Sequence, residues 1–196
     1  MSTIDLPLIN QQLEKKLAKF EITKKNIKNG THYIINLDDD IGEPRLYREH
    51  FDILLNAKPT DTVELIIQSW GGYLDTTVTY VNALLTTKAH TRATIHTAAS
   101  AATLIGFACQ EVKVFPLSTI MIHNFSASQS GKGSELRAKT AFDEKQFKEL
   151  CNILYKGILT ETEISNLLLD RDMWILGEEL ETRMKDLEWC AVKKYQ

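Results

Sequence analysis

Ser100 lies in Thr97-Ala98-Ala99-Ser100-Ala101-Ala102, a run of small residues that leads from a strand-like segment into a helix-like one. A hydroxyl at such a junction sits near free N–H groups and the positive end of a helix dipole, and small neighbours leave room for a substrate. Serine is also a favoured N-cap, so in isolation this one could simply close a helix. To act as a nucleophile it needs a base for its proton, and an imidazole in that role needs a carboxylate to fix its tautomer. Of the five histidines, His123 is best placed, because it ends the apolar run Ile120-Met121-Ile122 and would be delivered from a sheet's end into a cleft. His96, four residues before Ser100, reads as packing or bonding locally, and His32, His50 and His90 read as surface residues.

Asp170-Arg171-Asp172-Met173-Trp174 supplies two carboxylates before an apolar pair. Asp172 is the better candidate for burial and Asp170 resembles a solvated helix end, but local pattern alone does not separate them. Gly71-Gly72 follows an apolar strand and precedes a helix. Paired glycines there permit positive φ and close backbone approach, so their N–H groups could face an anion or a developing oxyanion; a tight turn is the plainer use.

These groups need a scaffold, and its elements are visible as periodicities. The runs 33–37, 63–67, 93–95, 112–115 and 119–122 are short and β-branched, as strands are. Pro44 to Leu55, Leu74 to Leu85 and Ala101 to Ala108 read as helices between them, so strand and helix alternate in βαβ units around a largely parallel sheet. A long helix is expected from Ser134 to Ile158, followed by one that opens on the capping box Thr160-Glu161-Thr162-Glu163. Leu8 to Phe20 has helical spacing, and a turn signal at Asn29-Gly30 sets residues 1–30 apart as a helical extension to a domain over 31–196.

With 43% hydrophobic and 25% charged residues in 196, the chain has the texture of one ordinary globular domain, which excludes disorder, collagen and coiled coil. A net charge of −3 without basic runs argues against nucleic acid. The sparse, odd cysteines Cys109, Cys151 and Cys190 imply buried small hydrophobes in a reducing compartment, with no disulfide frame or metal site. No stretch has the length and apolarity of a membrane span, so a soluble, cytoplasmic protein is expected.

Ser69-x-Gly71-Gly72, Ala98-Ala99-Ser100-Ala101-Ala102, Met121-Ile122-His123, Gly131-x-Gly133 before a long helix, and Arg171-Asp172 before an aromatic neighbourhood occur in this order. Together, from about Thr31 to Trp189, they resemble the Clp-type proteolytic subunits, serine peptidases that form a closed chamber fed by an AAA+ unfoldase. The resemblance implies an α/β fold of the ClpP/crotonase type, built of repeated ββα units with a protruding handle helix at about 134–158. It implies Ser100 as nucleophile, His123 as general base and then acid, and Asp172 as the group orienting the imidazole. The N–H groups of Gly71 and Ala101 would form the oxyanion hole, and Gly72, Asn124, Phe125 and Ser126 would line the substrate, which adds as an extended strand along Phe125 to Gly133.

Trp70 replaces the proline common before the paired glycines, His96 replaces a glycine, and the family's C-terminal Gly-Leu-Ile/Val-Asp is not recognisable in 184–189; these departures mark a divergent member, of a kind a virus could encode. No cofactor or metal is implied. The partners implied are further copies in stacked, heptameric rings, an AAA+ unfoldase that makes proteolysis ATP-dependent, and unfolded polypeptides; neither nucleic acid nor membrane is expected. The competing readings are a non-catalytic scaffold subunit, a crotonase-type acyl-thioester enzyme with a Glu acid/base in place of Ser100, and a Ser/Lys dyad.

Overall fold

The structure, a computed structural model, describes residues 22–126, 130–185 and 187. Strands β1 (Ile22–Ile27), β2 (Gly30–Leu37), β3 (Thr62–Ser69), β4 (His90–Ala99), β5 (Glu111–Ile122) and β6 (Met173–Leu176) form one six-stranded sheet in chain order. β2 to β5 run parallel, and each edge strand is antiparallel to its neighbour. Parallel neighbours need a crossover, and helices α1 (Arg48–Asn56), α2 (Leu74–Thr86) and α3 (Ala101–Phe107) provide them, as the alternating pattern requires. Beyond the sheet's main run lie α4 (Gly133–Leu154), α5 (Glu161–Leu167) and α6 (Gly177–Met184). This is the α/β architecture with a long handle helix.

The core forms where strand alternation meets helical stripes. On β3, Val63, Leu65 and Ile67 are fully buried while the residues between them are not. They meet Tyr80 and Leu84 of α2 and Ile105 and Phe107 of α3 in one cluster. α3 carries no charged residue and every one of its seven positions is buried, its one polar side chain, Thr103, being hydrogen-bonded inside. The helix that follows Ser100 is thereby locked into the core.

Several expectations are corrected. The runs 112–115 and 119–122 are one strand, β5, with a register shift: Ile95 pairs with Val114, but Thr97 pairs with Thr119. Pro116 has no N–H for the ladder, and the Ser118 hydroxyl fills the break by accepting the Phe115 N–H at 2.8 Å and donating to the Ile95 carbonyl at 2.6 Å. The long helix stops at Leu154, with Tyr155 as its C-cap, although the apolar stripe continues to buried Ile158. Residues 22–27, assigned to the helical extension, are the sheet's edge strand and pair with β2 across the Asn29-Gly30 turn. The helix expected over Leu8 to Phe20 lies outside the described residues. His50 is 1% exposed and not a surface residue, because the Tyr80 hydroxyl meets its Nδ1 at 2.5 Å.

Candidate active site

β4 ends at Ala99 and α3 begins at Ala101, so Ser100 occupies the turn between them with φ 55 and ψ −125. This is a sparsely populated conformation for a residue with a Cβ, and it persists only where the surroundings fix it. Its N–H donates to the Met121 carbonyl at 2.8 Å, and its own carbonyl accepts the Thr103 N–H at 3.0 Å and the Thr103 hydroxyl at 2.6 Å. Ser100 occupies the N-cap position, yet its side chain makes no capping bond. The hydroxyl is therefore not spent on closing the helix.

His123 follows the last residue of β5, two positions after the carbonyl that anchors Ser100. No hydrogen bond joins the two side chains, an arrangement common in resting sites whose contacts tighten on substrate binding. The antiparallel register of β5 and β6 ends with Met121 against Trp174 and Ile122 against Met173, so His123 and Asp172 each lie one residue beyond the last pair. Asp172 is exposed where burial was expected, because it precedes an edge strand that has no further strand beyond it among the described residues. The Asp170 carboxylate is committed elsewhere: it accepts the Asn124 amide at 2.7 Å, from a backbone with φ 59.

The glycine pair forms the opposite wall. Ile41 donates its N–H to the Gly71 carbonyl at 2.7 Å and accepts the Tyr73 N–H at 2.9 Å, a parallel bridge centred on Gly72. In such a bridge the central residue's own N–H points away from the partner, here away from Ile41. The Gly71 N–H instead faces the Ser69 hydroxyl at 3.2 Å, and that hydroxyl donates to the Asp39 carbonyl at 2.7 Å. The sequence reading put both glycines at the ligand, Gly71 as oxyanion donor and Gly72 along the substrate; Gly72 borders the cavity between the walls, and the Gly71 N–H is turned to the Ser69 hydroxyl. Gly71 instead permits close packing, since at φ 101 an added Cβ would stand 2.8 Å from the Ser100 Cβ and 3.0 Å from the Ala101 nitrogen, so only glycine lets the two walls meet.

Between the walls is a cavity of about 590 Å³ bordered by Gly72, Ser100, Ala101, His123, Phe125 and Ser126. That volume lies in the ordinary range for ligand sites. Asn124 does not border it. The sequence reading missed the third wall, where α4 presents Lys139, Asp143 and Phe147, four residues apart and so on one helix face, with Leu104 and Tyr155 beneath. Asp143 is buried and paired with Lys139. The i, i+4, i+8 spacing was available in the sequence as a signal. Among the described residues no cluster of metal-ligating side chains occurs, and no helix is long and apolar enough to cross a membrane.

No curated protein matches the chain. Residues 31–182 match the family model described as Clp protease, a span that runs from β2 through β6 and into α6 and takes in every wall of the cavity. On the breadth of that match the chain belongs to the Clp protease family, and its domain is a peptidase domain of that family.

Proposed function

We propose that this protein is a serine endopeptidase that cleaves unfolded polypeptides inside a chamber built from its own copies. The observation that carries the reading is the cavity that Ser100 and His123 share, with the serine on a strained turn and its hydroxyl free of any capping role. In the proposed reaction His123 takes the Ser100 proton as Oγ attacks the scissile carbonyl. The negative charge on the former carbonyl oxygen is held by the N–H groups of Ala101 and Gly72. His123 then passes its proton to the leaving amine, and water, deprotonated by the same imidazole, releases the acyl group from Ser100. Asp172, which like His123 lies one residue beyond the last β5–β6 pair, orients the imidazole. The substrate lies extended along Phe125 and Ser126, bonded through its backbone, which favours broad sequence tolerance.

The test is reaction of the purified chain with a fluorophosphonate and turnover of a short fluorogenic peptide. Labelling should map to Ser100. Ser100→Ala should abolish both signals, and His123→Ala should lower turnover by about 10² to 10⁴. An unlabelled Ser100, with turnover unchanged in Ser100→Ala, contradicts the reading. Stacked, heptameric rings and coupling to an AAA+ unfoldase in the cytoplasm belong to the same proposal, supported by membership of the family; native mass spectrometry is the direct check of ring size.

A second reading draws support from Asp143. A crotonase-type acyl-thioester enzyme needs a carboxylate acid/base at the cavity, where the sequence had offered none, and α4 supplies this one. Activity that survives Ser100→Ala but not Asp143→Asn would favour it.

A further inference from the structure

The strain at Ser100 requires something to hold it, and the structure supplies a chain of three hydroxyl and carbonyl groups. The Thr103 Oγ1 stands 2.6 Å from the Ser100 carbonyl oxygen and 2.6 Å from the Tyr155 hydroxyl. Threonine has one hydroxyl proton, and a carbonyl can only accept, so that proton goes to Ser100. Tyr155 is therefore the donor to Thr103. Thr103 is fully buried and Tyr155 is 1% exposed, its ring set edge-on to Phe107 at 5.9 Å. Burial strongly opposes ionisation of the tyrosine, which keeps its proton available.

The Ser100 carbonyl and the Ala101 N–H belong to one planar trans peptide, so they point in opposite directions. Drawing the carbonyl toward buried Thr103 turns the Ala101 N–H the other way. Ala101 borders the cavity with Ser100 and His123, and this N–H is the oxyanion donor of the reading above, on which the inference rests. We propose that Thr103 and Tyr155 are positioning residues that aim the Ala101 N–H at the developing oxyanion, so that the C-cap of the handle helix α4 holds the catalytic backbone in its reactive orientation. They act through the Ser100–Ala101 peptide and not on the reacting atoms, with the buried Tyr155 ring at the floor of the cavity.

Tyr155→Phe keeps the ring and removes the donor; Thr103→Val keeps the shape and removes the link; Thr103→Ser keeps the hydroxyl. Each is made in the full chain and assayed with a fluorogenic peptide, a peptide aldehyde and the corresponding product carboxylate. The aldehyde reports the oxyanion: Ser100 Oγ bonds to its carbon, the π pair moves to oxygen, and the hydroxyl proton passes to His123. Removing an oxyanion donor costs about 10² to 10³ in rate, and misaiming one costs less, so kcat should fall about tenfold with KM within twofold. Aldehyde affinity should fall by the same factor, product affinity should not change, and Thr103→Ser should restore both. Values of kcat within twofold of wild type in both Tyr155→Phe and Thr103→Val overturn the inference. So does an equal loss of aldehyde and product binding, the mark of general structural damage. Wild-type activity that does not depend on Ser100 overturns the underlying reading instead, and the inference with it.

Discussion

A single methyl group separates Gly72 from the rest of the amino acids, and at this position it decides the site. An added Cβ would lie 2.1 Å from the Ile41 carbonyl oxygen, on a residue with φ 148. Gly72→Ala must break the Ile41 bridge or distort the cavity wall, and clashes of this kind typically cost about 1–3 kcal/mol or more. The expected outcome is a lower melting temperature by calorimetry together with a loss of peptide turnover larger than the loss of folded protein. Residues of this class were legible in the sequence, because paired glycines and a small-residue turn around a serine mark backbone that must approach something closely. His50 was not legible, since its burial depends on a tyrosine 30 positions away. Local sequence did not separate Asp170 from Asp172 either, because what lies near each depends on how β5 pairs with β6, a long-range fact with no local trace.

At the scale of elements, β6 is held by helices whose ends are tied together. Glu163, in the first turn of α5, receives both nitrogens of the Arg183 fork from α6, at 2.9 and 3.0 Å. Those hydrogen bonds hold its carboxyl at about 2, below the ordinary 4.5. A carboxyl lowered in the folded state stabilises it fully above about 4.5, and that contribution is lost as pH falls toward 2. Wild type should therefore lose more stability between pH 5 and pH 2.5 than Glu163→Gln does, by on the order of 1 kcal/mol, in urea titrations at the two pH values. The capping box that opens α5 was plain in the sequence, as were the strands rich in β-branched residues. β1 was hidden because Thr23-Lys24-Lys25-Asn26 is polar, as a solvent-facing edge strand often is, and β6 because four residues are too few to show a period. α4 was read four residues too long because apolar spacing continued past the point where its backbone turned.

Taken as a whole, the subunit keeps the Cys109 and Cys151 thiols inside and a good deal of apolar surface outside. Burial raises Cys151 to about 12 and Cys109 further still, so neither offers a thiolate near neutral pH. The peptides carrying Cys109 and Cys151 should resist iodoacetamide in the native protein and react fully in guanidinium, as read by mass mapping. Leu117 is 85% exposed, Leu169 70%, and Trp70 and Trp174 60% each, with the two indole rings 6.4 Å apart. Large apolar side chains left in water in this number favour association of copies under the proposed chamber, and native mass spectrometry should return multiples of 22.3 kDa. One strand end, finally, serves two groups at once. The end of β5 offers the Met121 carbonyl to the Ser100 amide and carries His123 two residues later, so fraying there would unseat the proposed nucleophile and the proposed base in a single event. Deuterium uptake at the Ser100 amide would then measure the opening that silences the proposed peptidase, and conditions that slow that exchange should lengthen the active lifetime in step.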